Sequence, residues 1–442
     1  MSRAKAGSKS KSRSKTGTKI GTRRRRPDGF MQGVEAATSA LREIFEQTPL
    51  QRNAFLSDRY GGEIFLKRED LSPVRSYKLR GAFNFFRKAL AADSCAHRFV
   101  CASAGNHAQG FAFSCLHFGV DGIVFMPVTT PQQKIDKTRV FGGARIKIKL
   151  VGDIFDDCYR AAMDYADDSG ATMVPPFDHP DIIEGQASIG LELLAQAPGA
   201  IDLLIVPVGG GGLAAGVCQV MAQLSPKTVI RYVEPKGAPS FKRSLEAGKR
   251  VALEKLDNFV DGAAVARIGA HNFKILKSVD PASVILIPED RLCETIIEML
   301  NVEGIVLEPA GALEVDALRS IGKKELAGKR VVCLTSGGNF DFERLPEVKE
   351  RALKAAGLKK YFILRLPQRP GALREFLDLL GPDDDIARFE YLKKSARNFG
   401  SILVGVETRK RENFNTLTDN MSKAGLQFKD ITDDELVANF IV

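Results

Sequence analysis

The chain has 442 residues, 44% of them apolar and 27% charged, which is ordinary for a globular protein of two or three domains. Its formal charge of +10 arises in residues 1–27, which carry 11 Lys and Arg and no acid, whereas the remaining chain has 53 basic and 54 acidic side chains. A nucleic-acid-binding surface on the folded body is therefore not expected.

Residues 1–27 form a Ser/Lys/Arg-rich segment that we predict to be disordered, because it has too few apolar residues to build a core. Its composition fits a solvated extension, and an organelle transit peptide is the alternative. We therefore predict a cytoplasmic protein, with a plastid or mitochondrial location as the alternative.

The seven cysteines are odd in number and form no CxxC pair, so we expect buried thiols in a reducing compartment and neither disulfides nor a zinc site. The longest uncharged run, residues 203–226, contains four consecutive glycines and indicates a strand, a loop and a helix. We predict no membrane segment and no secretory signal.

From residue 32 to about 358, short apolar runs alternate with helical patterns, which is typical of βαβ units and parallel sheets. We predict strands at 98–102, 123–126, 144–151, 202–208, 229–233, 284–287 and 330–335. We predict one helix that ends near residue 117 and four more at 131–141, 155–168, 184–197 and 291–300.

The pattern changes near Lys359 and predicts a separate α+β, ferredoxin-like module in the order βαββαβ. Its strands are predicted at 361–366, 386–392, 401–408 and 426–431. Between them, two apolar stripes at helical spacing are formed by Leu373, Phe376, Leu377 and Leu380 and by Phe414, Leu417 and Met421. The predicted domains are thus a tail (1–27), a catalytic body (28–358) and a C-terminal domain (359–442).

Lys78 lies in SYKLRGA, where a turn passes into a helix, and it is our candidate for an imine-forming amine. Desolvation and neighbouring positive charge make a lysine nucleophilic by lowering its pKa, and we expect Arg75 and Arg80 to supply that charge. A lysine beside arginines is more often a solvated surface group, so the interpretation depends on three further motifs.

The first is SAGNHAQG, which follows a predicted strand and opens a helix, so that its backbone N–H groups can receive a carboxylate. The candidate substrate-binding residues are Ser103, Ala104, Gly105, Asn106 and His107. His107 is interpreted as a structural histidine and not as the catalytic base.

The second is GGGGL, between a buried strand and a helix, where glycines let the backbone approach a phosphate at the helix N-terminus. The residues are Gly209, Gly210, Gly211, Gly212 and Leu213. The same stretch also fits GxGxxA, and Glu234 follows at the distance that a dinucleotide fold requires. A nicotinamide-dependent oxidoreductase is therefore the rival hypothesis.

The third is TSGGN, which follows another apolar strand and places Ser336 at the carboxyl end of that strand, where ligands bind in open α/β sheets. A hydroxyl at this point can bond a pyridine nitrogen without donating a full charge. A nicotinamide fold does not need this motif.

In this order and spacing the four motifs resemble the threonine dehydratases (threonine ammonia-lyases), pyridoxal-phosphate enzymes of fold type II, the tryptophan-synthase-β-like class. The resemblance covers residues 32–358 and implies two parallel-sheet subdomains. It implies that Lys78 binds pyridoxal 5'-phosphate as an aldimine, Asn106 bonds the phenolic oxygen, Gly209–Leu213 hold the phosphate and Ser336 meets the pyridine nitrogen. Glu308–Ala312 (EPAGA) would line the site.

The implied reaction converts L-threonine into 2-oxobutanoate and ammonia, the first step of isoleucine biosynthesis, with the Lys78 amine removing the α-proton. Serine racemases of this class have a second acid/base serine where this chain has Ala104, which disfavours racemisation. They also bind a divalent cation with an acid where Ser240 lies here, so we predict no required metal.

The C-terminal domain resembles the ACT-like regulatory domain of biosynthetic threonine dehydratases, in a single copy, around Arg369–Gly381 and Asp384–Lys394. Isoleucine is the expected inhibitor, and an oligomerisation module without a ligand is the alternative. The resemblance implies a homotetramer. Three other functions remain open, namely a serine dehydratase or related β-eliminating lyase acting on L-serine, the oxidoreductase above and a non-enzymatic amino-acid sensor.

Overall fold

The computed structural model describes residues 29–93, 98–392 and 399–434. Within these ranges the chain forms three sheets, two parallel or nearly parallel ones in the body and an antiparallel one at the C-terminal end. The tail that we predict to be disordered, residues 1–27, and Cys95 lie outside the described residues. The six described cysteines are free thiols, and all but Cys218 are buried.

The larger sheet contains β1 (Leu50–Arg52), β2 (Glu63–Arg68), β7 (Leu203–Pro207), β8 (Val229–Pro235), β9 (Val284–Ile287) and β10 (Arg330–Thr335). Its order is β1-β2-β10-β7-β8-β9, and only the β1–β2 pair is antiparallel. Every residue of β7 is buried, because helices cover both faces of the sheet.

The smaller sheet contains β3 (Arg98–Ala102), β4 (Asp121–Met126), β5 (Ile146–Leu150) and β6 (Thr172–Met173), and its order is β5-β4-β3-β6. All its neighbouring strands are parallel. Its core is rich in phenylalanine, with Phe86, Phe99 and Phe111 buried together. The two parallel sheets confirm the predicted fold class of the body.

The described helices of the body are α1 (Gly29–Leu41), α2 (Ala54–Tyr60), α3 (Lys78–Ala92), α4 (Asn106–Phe118), α5 (Gln132–Gly142), α6 (Phe155–Ser169), α7 (Pro180–Gln196), α8 (Gly212–Leu224), α9 (Ser240–Glu246), α10 (Ala270–Leu276), α11 (Glu289–Glu303), α12 (Pro309–Ile321), α13 (Lys323–Leu326) and α14 (Leu345–Ala355). Three of the four motifs follow a strand and precede a helix or a turn. Residues 103–105 follow β3, residues 209–211 follow β7 and Ser336 follows β10.

The predicted strands and helices of the body are confirmed with boundaries that differ by at most four residues, and two of these differences have a local cause. Helix α7 begins at Pro180 and not at residue 184, because the His179 ring accepts a hydrogen bond from the Asp181 N–H (3.2 Å) and proline suits the first helical turn. Strand β5 begins at Ile146, after a short 3₁₀ turn that starts at Gly143 with a positive φ of 52°.

The C-terminal domain contains β11 (Lys359–Pro367), α15 (Ala372–Leu377), β12 (Asp384–Leu392), β13 (Phe399–Thr408), α16 (Asn413–Lys423) and β14 (Gln427–Asp430). The predicted βαββαβ order is confirmed, and the antiparallel sheet has the order β12-β13-β11-β14. Phe362, Val404, Phe414 and Met421 are buried in one core between the sheet and the helices.

Candidate active site

Lys78 is the first residue of α3, and its side chain is half-buried. Its Nζ donates to the Pro176 carbonyl at 3.0 Å and lies 5.5 Å and 5.8 Å from the ring centroids of Tyr77 and Phe177. Burial lowers the pKa of Lys78 to about 8, and the Glu308 carboxylate opposes this only in part. A sizeable fraction of the amine is therefore neutral and nucleophilic at mildly alkaline pH.

The positive neighbours that we expected to lower the Lys78 pKa do not cause this shift. Arg80 is fully buried, and its charge is balanced by ion pairs with Glu69 and Glu192, both at 2.8 Å. Arg75 is exposed and is not among the charges that act on the amine. The electrostatic part of the prediction was wrong, because desolvation and not charge repulsion lowers this pKa.

The glycine loop, Gly209–Leu213, connects β7 to α8. Gly211 has a φ of 91°, which favours glycine, and a Cβ on Gly210 would lie 2.2 Å from the Phe177 ring. The Asn272 amide fixes the loop by donating to the Gly210 carbonyl at 2.7 Å. The first N–H groups of α8 have no partners inside the helix, so the loop and helix end form an anion-binding geometry.

Residues 103–105 join β3 to α4, which begins with Asn106 and His107, and the Ser103 hydroxyl accepts from the Gly105 N–H at 3.2 Å. His107 is buried, and its Nε2 lies 3.0 Å from the Val174 carbonyl. Burial, together with the Lys78 charge, lowers the pKa of His107 to about 3. A ring that stays neutral and is held by a carbonyl fits a structural histidine.

Asn106 connects two elements of the site that are far apart in sequence. Its amide donates to Glu308 Oε1 at 2.6 Å, and its carbonyl oxygen accepts from the Asn339 amide at 2.8 Å. Burial, with the charge of Asp261 adding to it, raises the pKa of Glu308 to about 7. The Glu308 carboxyl and the Lys78 amine thus both titrate near neutral pH.

Sequence reasoning did not assign a role to Glu308 or Asn339, although both lie in motifs that it identified. Glu308 begins EPAGA and Asn339 ends TSGGN. Their positions inside these motifs are the signal that could have led to them. Only the fold shows that both side chains hold Asn106.

Ser336 is buried beside the start of α12 and close to the Lys78 turn. Its hydroxyl donates to the Ala310 carbonyl at 3.2 Å, and its own carbonyl accepts from the Tyr77 N–H at 3.1 Å. Ser76 pairs with Gly337 in an isolated bridge. The Ser76 hydroxyl is buried and has no hydrogen-bond partner within the described residues, which leaves a polar atom available to a ligand.

Glu234, the acid of the rival dinucleotide hypothesis, is not available to a ribose. It is fully buried, and its two oxygens accept from the Phe241 and Lys242 N–H groups at 2.8 Å and 2.9 Å. Burial raises the pKa of Glu234 to about 8. Its carboxyl stabilises the start of α9, so the predicted nucleotide contact is not supported.

The described ranges contain no group of three His, Cys, Asp or Glu side chains that could hold a metal ion. None of the helices in the same ranges is long and apolar enough to cross a membrane.

Comparison with protein families gives two matches. Residues 41–337 match the family described as pyridoxal-phosphate dependent enzyme. Residues 350–441 match the C-terminal regulatory domain of threonine dehydratase. The first match covers more than half of the chain.

Curated relatives match over both regions. The biosynthetic L-threonine dehydratase of Halalkalibacterium halodurans is 43% identical over 413 residues, which cover 93% of this chain and 99% of the relative. That of Bacillus subtilis is 46% identical over 403 residues, which cover 91% and 95%. Among solved structures, processed threonine deaminase isoform 2 from Solanum lycopersicum has a TM-score of 0.68 at 35% identity, covering 74% of this chain and 94% of that one.

Proposed function

Since the chain belongs to the pyridoxal-phosphate-dependent enzyme family and ends in the regulatory domain of threonine dehydratases, we propose that it is a biosynthetic L-threonine dehydratase. It is a lyase that forms 2-oxobutanoate and ammonia from L-threonine with pyridoxal 5'-phosphate. The observation that carries this proposal is the similarity to such enzymes over about nine-tenths of the chain.

The described residues fit this cofactor. The glycine loop and the N-terminus of α8 offer backbone N–H groups to the phosphate, and the Lys78 amine, which donates to the Pro176 carbonyl, can bind the aldehyde. We assign Ser336 to the pyridine nitrogen and Asn106 to the phenolic oxygen. The unpartnered Ser76 hydroxyl offers a further polar contact.

The bound cofactor withdraws electrons from the α-carbon of the substrate and brings a phosphate that can protonate the leaving hydroxyl. The neutral Lys78 Nζ takes the α-proton. The backbone at Ser103–His107 holds the substrate carboxylate, and this contact orients the α-carbon of the substrate toward the Lys78 amine. Ser336 offers a neutral hydroxyl, which, unlike a carboxylate, does not keep the pyridine nitrogen protonated. A ring without that positive charge withdraws electrons less strongly, which favours elimination over transamination.

The proposal is tested by measuring 2-oxo acid and ammonia release from L-threonine, L-serine and their D-isomers. We expect kcat/KM for L-threonine to exceed that for L-serine by about tenfold or more, because one buried methyl group contributes about 1–3 kcal/mol of discrimination. The D-isomers should give no product. A preference for L-serine would identify a serine dehydratase, and the absence of any product would reject the lyase.

We propose isoleucine as the allosteric inhibitor, bound by the C-terminal domain. The support is the match of residues 350–441 to the regulatory domain of threonine dehydratase, together with the βαββαβ order of this domain and the turn at Gly371 (φ 89°) that leads into α15. Isoleucine should raise the half-saturating threonine concentration at least about fivefold. D-isoleucine serves as the control, and superimposable saturation curves without detectable isoleucine binding would reject this proposal.

The domain limits of 28–358 and 359–442 are also a proposal. Val348 and Ala352 of α14 are buried in the core of the body, whereas Phe362 is buried in that of the C-terminal domain. The homotetramer and the cytoplasmic location remain predictions. The two curated relatives compared above are bacterial enzymes and do not support the plastid alternative.

A further inference from the structure

Glu314 is an acidic residue in the middle of α12 that the proposed mechanism does not use. It is fully buried, and neither carboxyl oxygen has a hydrogen-bond partner in the part of the chain that the structure describes. Burial raises the pKa of Glu314 well above its ordinary value, and the nearby Glu308 charge adds to this. A fully buried carboxyl without partners favours its neutral form, a carboxylic acid with one O–H donor and no acceptor.

The contacts of α12 with β10 locate this acid beneath the pocket. The Cys333 thiol lies 3.6 Å from the Glu314 carbonyl, and the Ser336 hydroxyl donates to the Ala310 carbonyl. Helix and strand thus run in opposite directions. Helical side chains lean toward the helix N-terminus, so the Glu314 carboxyl extends from the level of Cys333 toward Ala310, the helical residue that contacts Ser336.

Tyr77 gives an independent indication of the same position. Its N–H donates to the Ser336 carbonyl at 3.1 Å, and its ring lies 5.5 Å from the Lys78 Nζ. Burial raises the pKa of the Tyr77 phenol, and at the high pH where this phenol ionises the ionised Glu308 and Glu314 side chains raise it further. Glu314 therefore lies near the part of the pocket that Tyr77, Lys78 and Ser336 share.

We propose that Glu314 is a positioning residue that donates its carboxyl proton to the Ser336 hydroxyl when that hydroxyl binds the pyridine nitrogen of the cofactor. A hydroxyl has one donor and two acceptor sites. The Ser336 oxygen can accept whichever way its proton points, and the Glu314 side chain, which has no partner within the described residues, turns to reach it. Once Ser336 donates to a ring nitrogen, a donor at its oxygen strengthens that bond. An ionised carboxylate has no proton to donate.

This inference rests on the proposed function. It is tested by measuring the affinity for the cofactor, which does not depend on catalytic activity. Cofactor-free protein is titrated with pyridoxal 5'-phosphate and the dissociation constant is read from absorbance. Glu314→Leu, which removes the donor, should weaken binding about 2- to 10-fold, the usual range for one net hydrogen bond. Glu314→Gln keeps an N–H donor and should stay within about twofold of the unsubstituted protein.

The same pair of substitutions in a Ser336→Ala background provides the decisive control. If Glu314 acts through the hydroxyl, the Leu and Gln variants should bind the cofactor equally well there. Equal affinity of Glu314→Leu and the unsubstituted protein, or an equal loss in both backgrounds, would overturn the inference. Thermal unfolding verifies folding, and Glu314→Met replaces the leucine variant if that variant does not fold. Failure of the unsubstituted protein to bind the cofactor would reject the proposed function instead.

Discussion

Replacing Lys78 with alanine should lower kcat for L-threonine by at least about a thousandfold and remove the visible absorbance of the bound cofactor. The alanine has no amine to bind the aldehyde and none to take the α-proton. The Lys78 amine is suited to both tasks, because burial lowers its pKa to about 8. Ammonia release and an absorption spectrum of the purified protein measure the two effects.

Lys88 offers a matched control on the same helix. Its side chain is partly exposed and pairs with Asp181 and Glu184, away from the site. Lys88→Ala should keep the absorbance and most of the activity. Borohydride reduction followed by peptide mapping should place the cofactor on Lys78, and a label on any other lysine, or turnover retained by Lys78→Ala, would contradict the assignment.

The parallel sheets were predictable mainly from those of their strands that are buried on both faces. A strand such as β7 then appears in the sequence as an uninterrupted apolar run. The glycines in the loop after it do not contribute to the hydrophobic core. Strands of this kind mark where the ligand-binding loops begin. It was the resemblance to the threonine dehydratases, based on the order of the motifs, that implied that these loops surround one cofactor.

Shorter or more polar elements gave a weaker signal. Strand β1 has three residues and is at most half-buried, and β6 has two. The start of α7 depends on a histidine side chain that caps its N-terminus, which the apolar pattern does not reveal. Such boundaries are decided by single hydrogen bonds and not by periodicity.

The partners of buried charges were not predictable, because they are distant in sequence. Arg80 was interpreted as a charge acting on Lys78, but it contacts Glu192, 112 residues away. Glu234 was compatible with a nucleotide contact until the fold placed its oxygens on the start of α9. In both cases the sequence identified a charged residue but not the group that it contacts. That group is determined by the fold, because a charge acts on whichever residues lie near it.

The second large effect is expected for Arg80, whose replacement by methionine should lower the free energy of unfolding by about 3–5 kcal/mol. Arg80 pairs with both oxygens of Glu69 and both oxygens of Glu192 inside the protein. Burial alone would raise the pKa of Glu192, but Arg80 and Lys67 lower it to about 2. Without the guanidinium, the buried Glu69 loses its ion pair with Arg80, and Glu192 is left with Lys67 and Arg42.

Urea denaturation of the cofactor-free protein measures this loss, and Arg139→Met supplies the control. Arg139 pairs with Asp136 on the surface of α5 at 3.1 Å, so its replacement should cost less than about 1 kcal/mol. Arg80→Lys should recover only part of the stability, because an ammonium cannot bind two carboxylates with paired hydrogen bonds. A loss below about 1 kcal/mol for Arg80→Met would show that the buried ion pairs do not hold α3, and hence Lys78, against α7.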